Sequence, residues 1–197
     1  MSITLTVMGL VPNGSAILRS GAAIDDDIYV SGYLGDAAGA LRELGQVTVN
    51  PALLLKYESP TPRLDLGMAL RGLASAAIDI SDGFLSDLGH LLASSHVSAQ
   101  LDLHQVPLSD ALLSVFGQEQ ALSLALSGGD DYELCFTANV QHREQIASIA
   151  RQQGLPIARL GKIVGGDTDI VDTDGNALRA PGYNHFAAEG ASPGREK

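Results

Sequence analysis

Apolar and polar positions change period several times along this chain, and the sharpest change falls between residues 77 and 92. Ile78 and Ile80 face one way and Asp79 and Ser81 the other, the two-residue repeat of a strand. Beyond Asp82-Gly83 the repeat becomes helical, with Phe84, Leu85, Leu88, Leu91 and Leu92 on one stripe. The spacing predicts a strand that runs straight into a helix over residues 83–95. Two carboxylates and a hydroxyl stand at that junction.

The same patterning marks elements on either side. Ile3, Leu5 and Val7 alternate with Thr4 and Thr6, which predicts a strand over residues 2–11, then a turn at Pro12-Asn13-Gly14-Ser15. A chain that opens at once on a strand hints at a cut between domains. A second strand is expected over 28–31. Residues 35–41 are expected to form a small-residue helix packed on a sheet and capped by Asp36. Residues 46–57 read as a surface loop, and Pro60 and Pro62 precede a helix carrying Leu64, Leu66, Met68, Leu70 and Leu73. Further on, the pattern predicts strands at 99–103, 132–137, 157–164 and 168–173. It predicts helices opening at 107–112 and running over 118–126 and 141–153, with Gly128 and Gly129 as C-caps and a hairpin turn at Asp174-Gly175. Residues 187–197 are small and polar and are expected to be disordered. Irregular alternation with a terminal hairpin points to an α+β (layered α/β) fold, a mixed sheet with helices packed on it.

Composition narrows the function. The chain has 197 residues, 45% hydrophobic and 18% charged, with a net charge of −11, enough for one sizeable core. That acidity disfavours nucleic acid and anionic membranes as partners. No apolar run approaches the ~20 residues of a membrane helix. The one cysteine, Cys135, excludes an internal disulfide, reads as a small buried hydrophobe and fits a cytoplasmic location. An acidic protein that handles phosphates must recruit cations.

The 79–82 junction has the chemistry for that. Paired aspartates repel unless a cation lies between them, and a hard ion such as Mg2+ takes oxygen ligands. A helix N-terminus beside them favours anions. Asp82 reads equally well as an N-cap. Asp79 is harder to explain structurally, because a charge between two isoleucines of an inner strand is costly without a partner. The second constellation is Ser127-Gly128-Gly129-Asp130-Asp131-Tyr132-Glu133, whose glycines admit a close approach and whose acids suit a cation; a polar helix-to-strand turn is its structural alternative. P-loop, protein-kinase and dinucleotide motifs are absent. His90 and His185 read as structural histidines.

The two motifs, Asp79-Ile80-Ser81-Asp82-Gly83-Phe84-Leu85-Ser86-Asp87-Leu88 and Ser127-Gly128-Gly129-Asp130-Asp131-Tyr132-Glu133-Leu134, resemble the thiamine-monophosphate kinase family. That family lies in the superfamily of aminoimidazole ribonucleotide synthetase and selenophosphate synthetase. The likeness runs from about residue 4 to 186 and covers only the C-terminal part of such an enzyme. It implies a single C-terminal domain over residues 1–186, with the N-terminal metal and nucleotide domain outside this chain. It implies Mg2+ at Asp79 and Asp82, ATP at Arg19 and Ser81, and thiamine monophosphate at Asp130 and Tyr183. It also implies direct phosphoryl transfer to thiamine diphosphate, no catalytic residue beyond the metal ligands, and a homodimer for the longer enzyme. Without the resemblance, Arg19 is a solvated turn residue and Tyr183 a tucked-in aromatic. Two other readings remain: a sister kinase or synthetase with another acceptor, and a non-catalytic domain that binds a phosphorylated ligand or a partner chain.

Overall fold

The computed structural model describes residues 4–46 and 48–179. Six strands form one mixed sheet: β1 (Asp27–Ser31), β2 (Ala74–Asp79), β3 (Ser98–Leu101), β4 (Leu134–Ala138), β5 (Ile157–Val164) and β6 (Ile170–Asp172), in the order β2-β4-β1-β5-β3-β6. All neighbours are antiparallel except β3 and β6. The α+β expectation is met.

Alternation along the strands builds two cores. On one face, Ile28, Val30, Ile78, Ile80, Leu160 and Ile163 pack with Phe84, Leu88, Leu91 and Leu92 of α4 (Phe84–Ser95). Tyr29, Phe136 and Ala138 point to the other face and meet Leu66 of α3 (Leu64–Ala69), Leu70 at its C-cap, and Ile146 of α6 (Arg143–Gln153). Cys135 is fully buried, as expected, and burial pushes its thiol up to about 12. A third cluster joins α1 (Asp36–Glu43), α2 (Pro51–Glu58) and α5 (Asp110–Ser127). Among the described residues no helix is long and apolar enough to cross a membrane.

Several local expectations are corrected. Residues 4–11 form no strand: Leu5, Val7, Met8 and Leu10 are exposed, and alternation makes a strand only where a neighbour takes its backbone groups. The stretch read as a loop holds α2, started by Pro51 and by Asn50, whose Oδ1 accepts from Ala52 N–H. Its apolar Leu53 is fully buried against α1 and α5. For the same reason α1 packs on helices, not on the sheet. Its cap is Gly35, while Asp36 accepts from Ser109 Oγ at 2.6 Å. The helix expected through Leu73 stops at Ala69. The two helices expected between 107 and 126 are the arms of α5, kinked at Gly117. The hairpin after β6 forms as expected, with Val171 bridging Ala177. The tail 187–197 lies outside the described residues.

Candidate functional site

β2 is an edge strand, not an inner one, so Asp79 at its end reaches solvent instead of needing a buried partner. Asp79 pairs in register with Leu134, and the β2–β4 pairing continues beyond both strands. Ile80 N–H donates to Glu133 O (2.8 Å), Tyr132 N–H to Ile80 O (2.9 Å), and Asp130 N–H to Ser81 O (2.9 Å). The two sequence motifs are therefore laced together along their backbones. Glycine makes this possible: a Cβ on Gly129 would lie 2.5 Å from Ser81 O. Gly83, at φ +117, would place one 2.7 Å from Ser127 O. The glycines expected to admit a ligand thus admit the partner motif. Gly128 is the C-cap of α5, as expected, with an extended backbone (φ −77) and its N–H donated to Leu124 O.

Asp82 is not the cap of α4. The cap position belongs to Gly83, without a side-chain bond. Asp87 does the tying instead: its buried Oδ2 accepts from the N–H groups of Ser81 (2.8 Å) and Asp82 (3.0 Å). Burial raises the Asp87 carboxyl, helped by the charges of Asp82 and Asp79 and opposed by those two N–H bonds. Asp79 and Asp82 stay exposed, and no hydrogen bond of either carboxylate, or of Ser81 Oγ, occurs among the described residues.

Opposite them, Asp130 and Tyr132 adopt left-handed backbone angles, φ +67 and +50, which non-glycine residues hold only under constraint. The Tyr132 hydroxyl donates to Asp130 Oδ1 at 3.1 Å. Burial raises the Tyr132 phenol, together with its bond to Asp130 and the charges of Asp130, Asp79 and Asp82. All three carboxylates act on one ring.

Three supports fix this loop. Both oxygens of Asp131 accept from Gly35 N–H (3.0 and 2.9 Å), tying the loop to the start of α1. Burial lifts the Asp131 carboxyl to about 8, against the N–H bonds of Gly35 and Ala37 and with the charges of Asp36 and Glu133. Glu133 is buried, accepts from Ser31 Oγ at 2.6 Å, and forms a two-pronged ion pair with Arg63 at the start of α3. Sequence reading missed the roles of Asp87, Asp131 and Glu133. The signal lay in the acids that each motif holds beyond its candidate ligands.

Asp79 borders two depressions. One, of about 450 Å³, is lined by Arg19, Leu18, Ala77 and Leu134 as well. The other, of about 670 Å³, lies between α3 and the 130–134 loop. The structure thus brings Arg19, Asp79, Ser81, Asp82 and Asp130 to one end of the sheet. Tyr183 and His185 lie outside the described residues. His90 is exposed on α4, without the structural hydrogen bond expected of it among the described residues.

Among the described residues no group of three or more His, Cys, Asp or Glu side chains could hold a metal ion. Two exposed carboxylates still fit Mg2+, which takes one or two such ligands and completes its shell with water and phosphate oxygens.

Residues 31–174 match the family described as AIR synthase related protein, C-terminal domain. The chain is 42% identical over 196 residues to the thiamine-monophosphate kinase of Escherichia coli K12, covering 95% of this chain and 60% of that protein. The chain therefore spans about 60% of the length of the curated relatives it matches. Among solved structures, the thiamine-monophosphate kinase of Stenotrophomonas maltophilia K279a superimposes with a TM-score of 0.80 at 44% identity, over 85% of this chain and 56% of that one. AaThiL complexed with AMPPCP and TMP gives 0.74 at 30% identity, over 86% of this chain and 54% of that one.

Proposed function

The chain belongs to the AIR synthase related protein family, whose C-terminal domain residues 31–174 form, and from that premise we propose that it supplies one side of a thiamine-monophosphate kinase site. The observation that carries this is the position of Asp79, shared by a groove with Arg19 and a groove with Tyr132. One groove suits a nucleotide and the other its phosphoryl acceptor.

In this reading Asp79 and Asp82 hold Mg2+ at the junction. Mg2+ bound there would neutralise charge on the transferring phosphoryl group and its neighbours. Arg19 pairs with a nucleotide phosphate on one side, and among the described residues no protein group competes for Ser81 Oγ. Asp130 faces the thiazolium cation of thiamine monophosphate on the other, and Tyr183 covers that ring. The acceptor oxygen is already ionised as a phosphate monoester, so no general base is required. Asp130 also has a shorter reach than the glutamate common at its position in the family, and the hydrogen bond from Tyr132 fixes where that carboxylate sits.

The longer relatives have sequence beyond this chain's reach, and the remaining metal and nucleotide ligands and a homodimer contact are assigned there. The location is cytoplasmic. A chimera carrying the N-terminal part of the Escherichia coli relative ahead of this chain tests the reading. With ATP, Mg2+ and thiamine monophosphate it is expected to form thiamine diphosphate, whereas the 197-residue chain alone is not. A folded chimera without product, or turnover of several per second by the chain alone, would contradict it.

A further inference from the structure

Ser95 is the last residue of α4, and its hydroxyl turns away from its own helix. The neighbouring Ser94 behaves in the ordinary way and donates to His90 O, one turn back, at 2.8 Å. Ser95 Oγ instead donates to Arg19 O at 3.0 Å and accepts from the N–H groups of Gly21 and Ala22, each at 3.2 Å. A hydroxyl has one proton and two lone pairs. All of them go to a single bend, residues 19–22, far away in sequence.

That bend carries the arginine of the groove beside Asp79. Leu18 O accepts from Ala77 N–H (2.9 Å) on the free edge of β2, the strand that ends at Asp79. Gly21, at φ +126, permits the approach, since a Cβ there would lie 2.6 Å from Ser75 O. The peptide groups on both sides of the Arg19 Cα are therefore held, one by β2 and the other by α4. The direction of its Cα–Cβ bond follows from these two anchors. Among the described residues no other donor reaches Arg19 O, and the Arg19 guanidinium forms no ion pair.

α4 joins this bend to the metal junction. In its first turn Asp87 accepts from the N–H groups of Ser81 and Asp82, and in between Leu88, Leu91 and Leu92 are fully buried. At ~1.5 Å per residue, Asp87 and Ser95 stand about 12 Å apart along the axis. One packed helix grips the aspartate junction at one end and the arginine bend at the other.

We infer that Ser95 is a positioning residue for nucleotide binding, aiming Arg19 into the groove that it shares with Asp79. The inference rests on the kinase reading and adds to it a residue that touches neither nucleotide nor metal. The bonds of Ser95 to Arg19 O and Gly21 N–H are exposed, so water replaces them when the hydroxyl is removed. Loss of Ser95 costs direction, not fold.

Isothermal titration of the 197-residue chain with the β,γ-methylene analogue of ATP and Mg2+ tests this, with Tm recorded for each variant. Ser95→Ala is expected to weaken the analogue by about five- to tenfold with Tm little changed. Ser95→Thr, which keeps the hydroxyl, is expected to bind as the parent does. Because Ser95 acts through Arg19, adding Ser95→Ala to Arg19→Ala is expected to weaken binding by less than about twofold further. Normal binding by Ser95→Ala, with Arg19→Ala impaired, would overturn the inference and leave the kinase reading standing. Additive losses in the double variant, or a Ser95→Ala chain that does not fold, would assign Ser95 a structural role and overturn it as well. Normal binding by Arg19→Ala would overturn the nucleotide role of Arg19 and this inference with it. A parent chain that binds no analogue would overturn both the inference and the kinase reading.

Discussion

Asp130 donates its backbone N–H to the carbonyl oxygen of Ser81 at 2.9 Å, which places the acid of one motif beside the hydroxyl of the other. The contact depends on Gly129, where even a methyl group would press on Ser81 O. Gly129→Ala is expected to destabilise the chain by about 1–3 kcal/mol, the usual cost of overpacking. At this chain length each kcal/mol corresponds to about 2–4 °C in Tm. Calorimetry gives the number, and an unchanged Tm would mean that the two motifs are not in this register.

Asp79→Asn and Asp82→Ala test function without stability. Both carboxylates are exposed and unbonded among the described residues, and Asp82 caps nothing. Each substitution is expected to change stability by less than about 0.5 kcal/mol while abolishing Mg2+-dependent nucleotide binding. A loss of about 1 kcal/mol for Asp82→Ala would restore the capping role. Denaturant titration beside isothermal titration separates the two.

Much of this site is legible in the sequence because it depends on local order. The change of period at Asp82-Gly83 locates the end of β2 and the start of α4 within a few residues. The carboxylates that support the site are not legible, because their partners are distant in sequence: Asp131 bonds Gly35, and Glu133 bonds Ser31 and Arg63. Periodicity reports which face a residue takes but not which neighbour meets it. That is also why Asp79 read as lying in an inner strand, since strand order is a long-range property. Residues 4–11 fail in the opposite direction: their alternation is genuine, yet no described strand lies beside them.

Asp131 gives the chain a pH dependence. Its carboxyl stands at about 8 in the folded chain against an ordinary 3.8, so the folded state holds the proton more tightly than the unfolded one. Stability from this group is full below about pH 4 and is lost as pH rises toward 8, with a slope of at most about 1.4 kcal/mol per pH unit. Asp131→Asn is expected to flatten the curve in that window. An unchanged slope between pH 5 and 8 would contradict it.

The Arg63–Glu133 pair predicts an asymmetry. Arg63→Met leaves the Glu133 carboxylate buried without its cation and is expected to cost about 3–5 kcal/mol. Arg63→Met combined with Glu133→Leu removes the stranded charge and is expected to recover a large part of that loss. A double variant as unstable as the single one would show that packing, not charge, carries the effect. Urea unfolding of the three proteins measures it.

The kinase reading stands on a divalent cation held by Asp79 and Asp82, beside the two grooves that share Asp79. Its most direct test uses Mn2+ in place of Mg2+, added with a non-hydrolysable ATP analogue to the isotope-labelled chain. Paramagnetic broadening is expected to centre on residues 79–82 and 130–132, to reach Arg19, and to vanish in Asp79→Asn. Broadening spread evenly over other acidic stretches, such as Asp25 to Asp27 or Asp172 to Asp174, and unchanged by Asp79→Asn, would contradict the account.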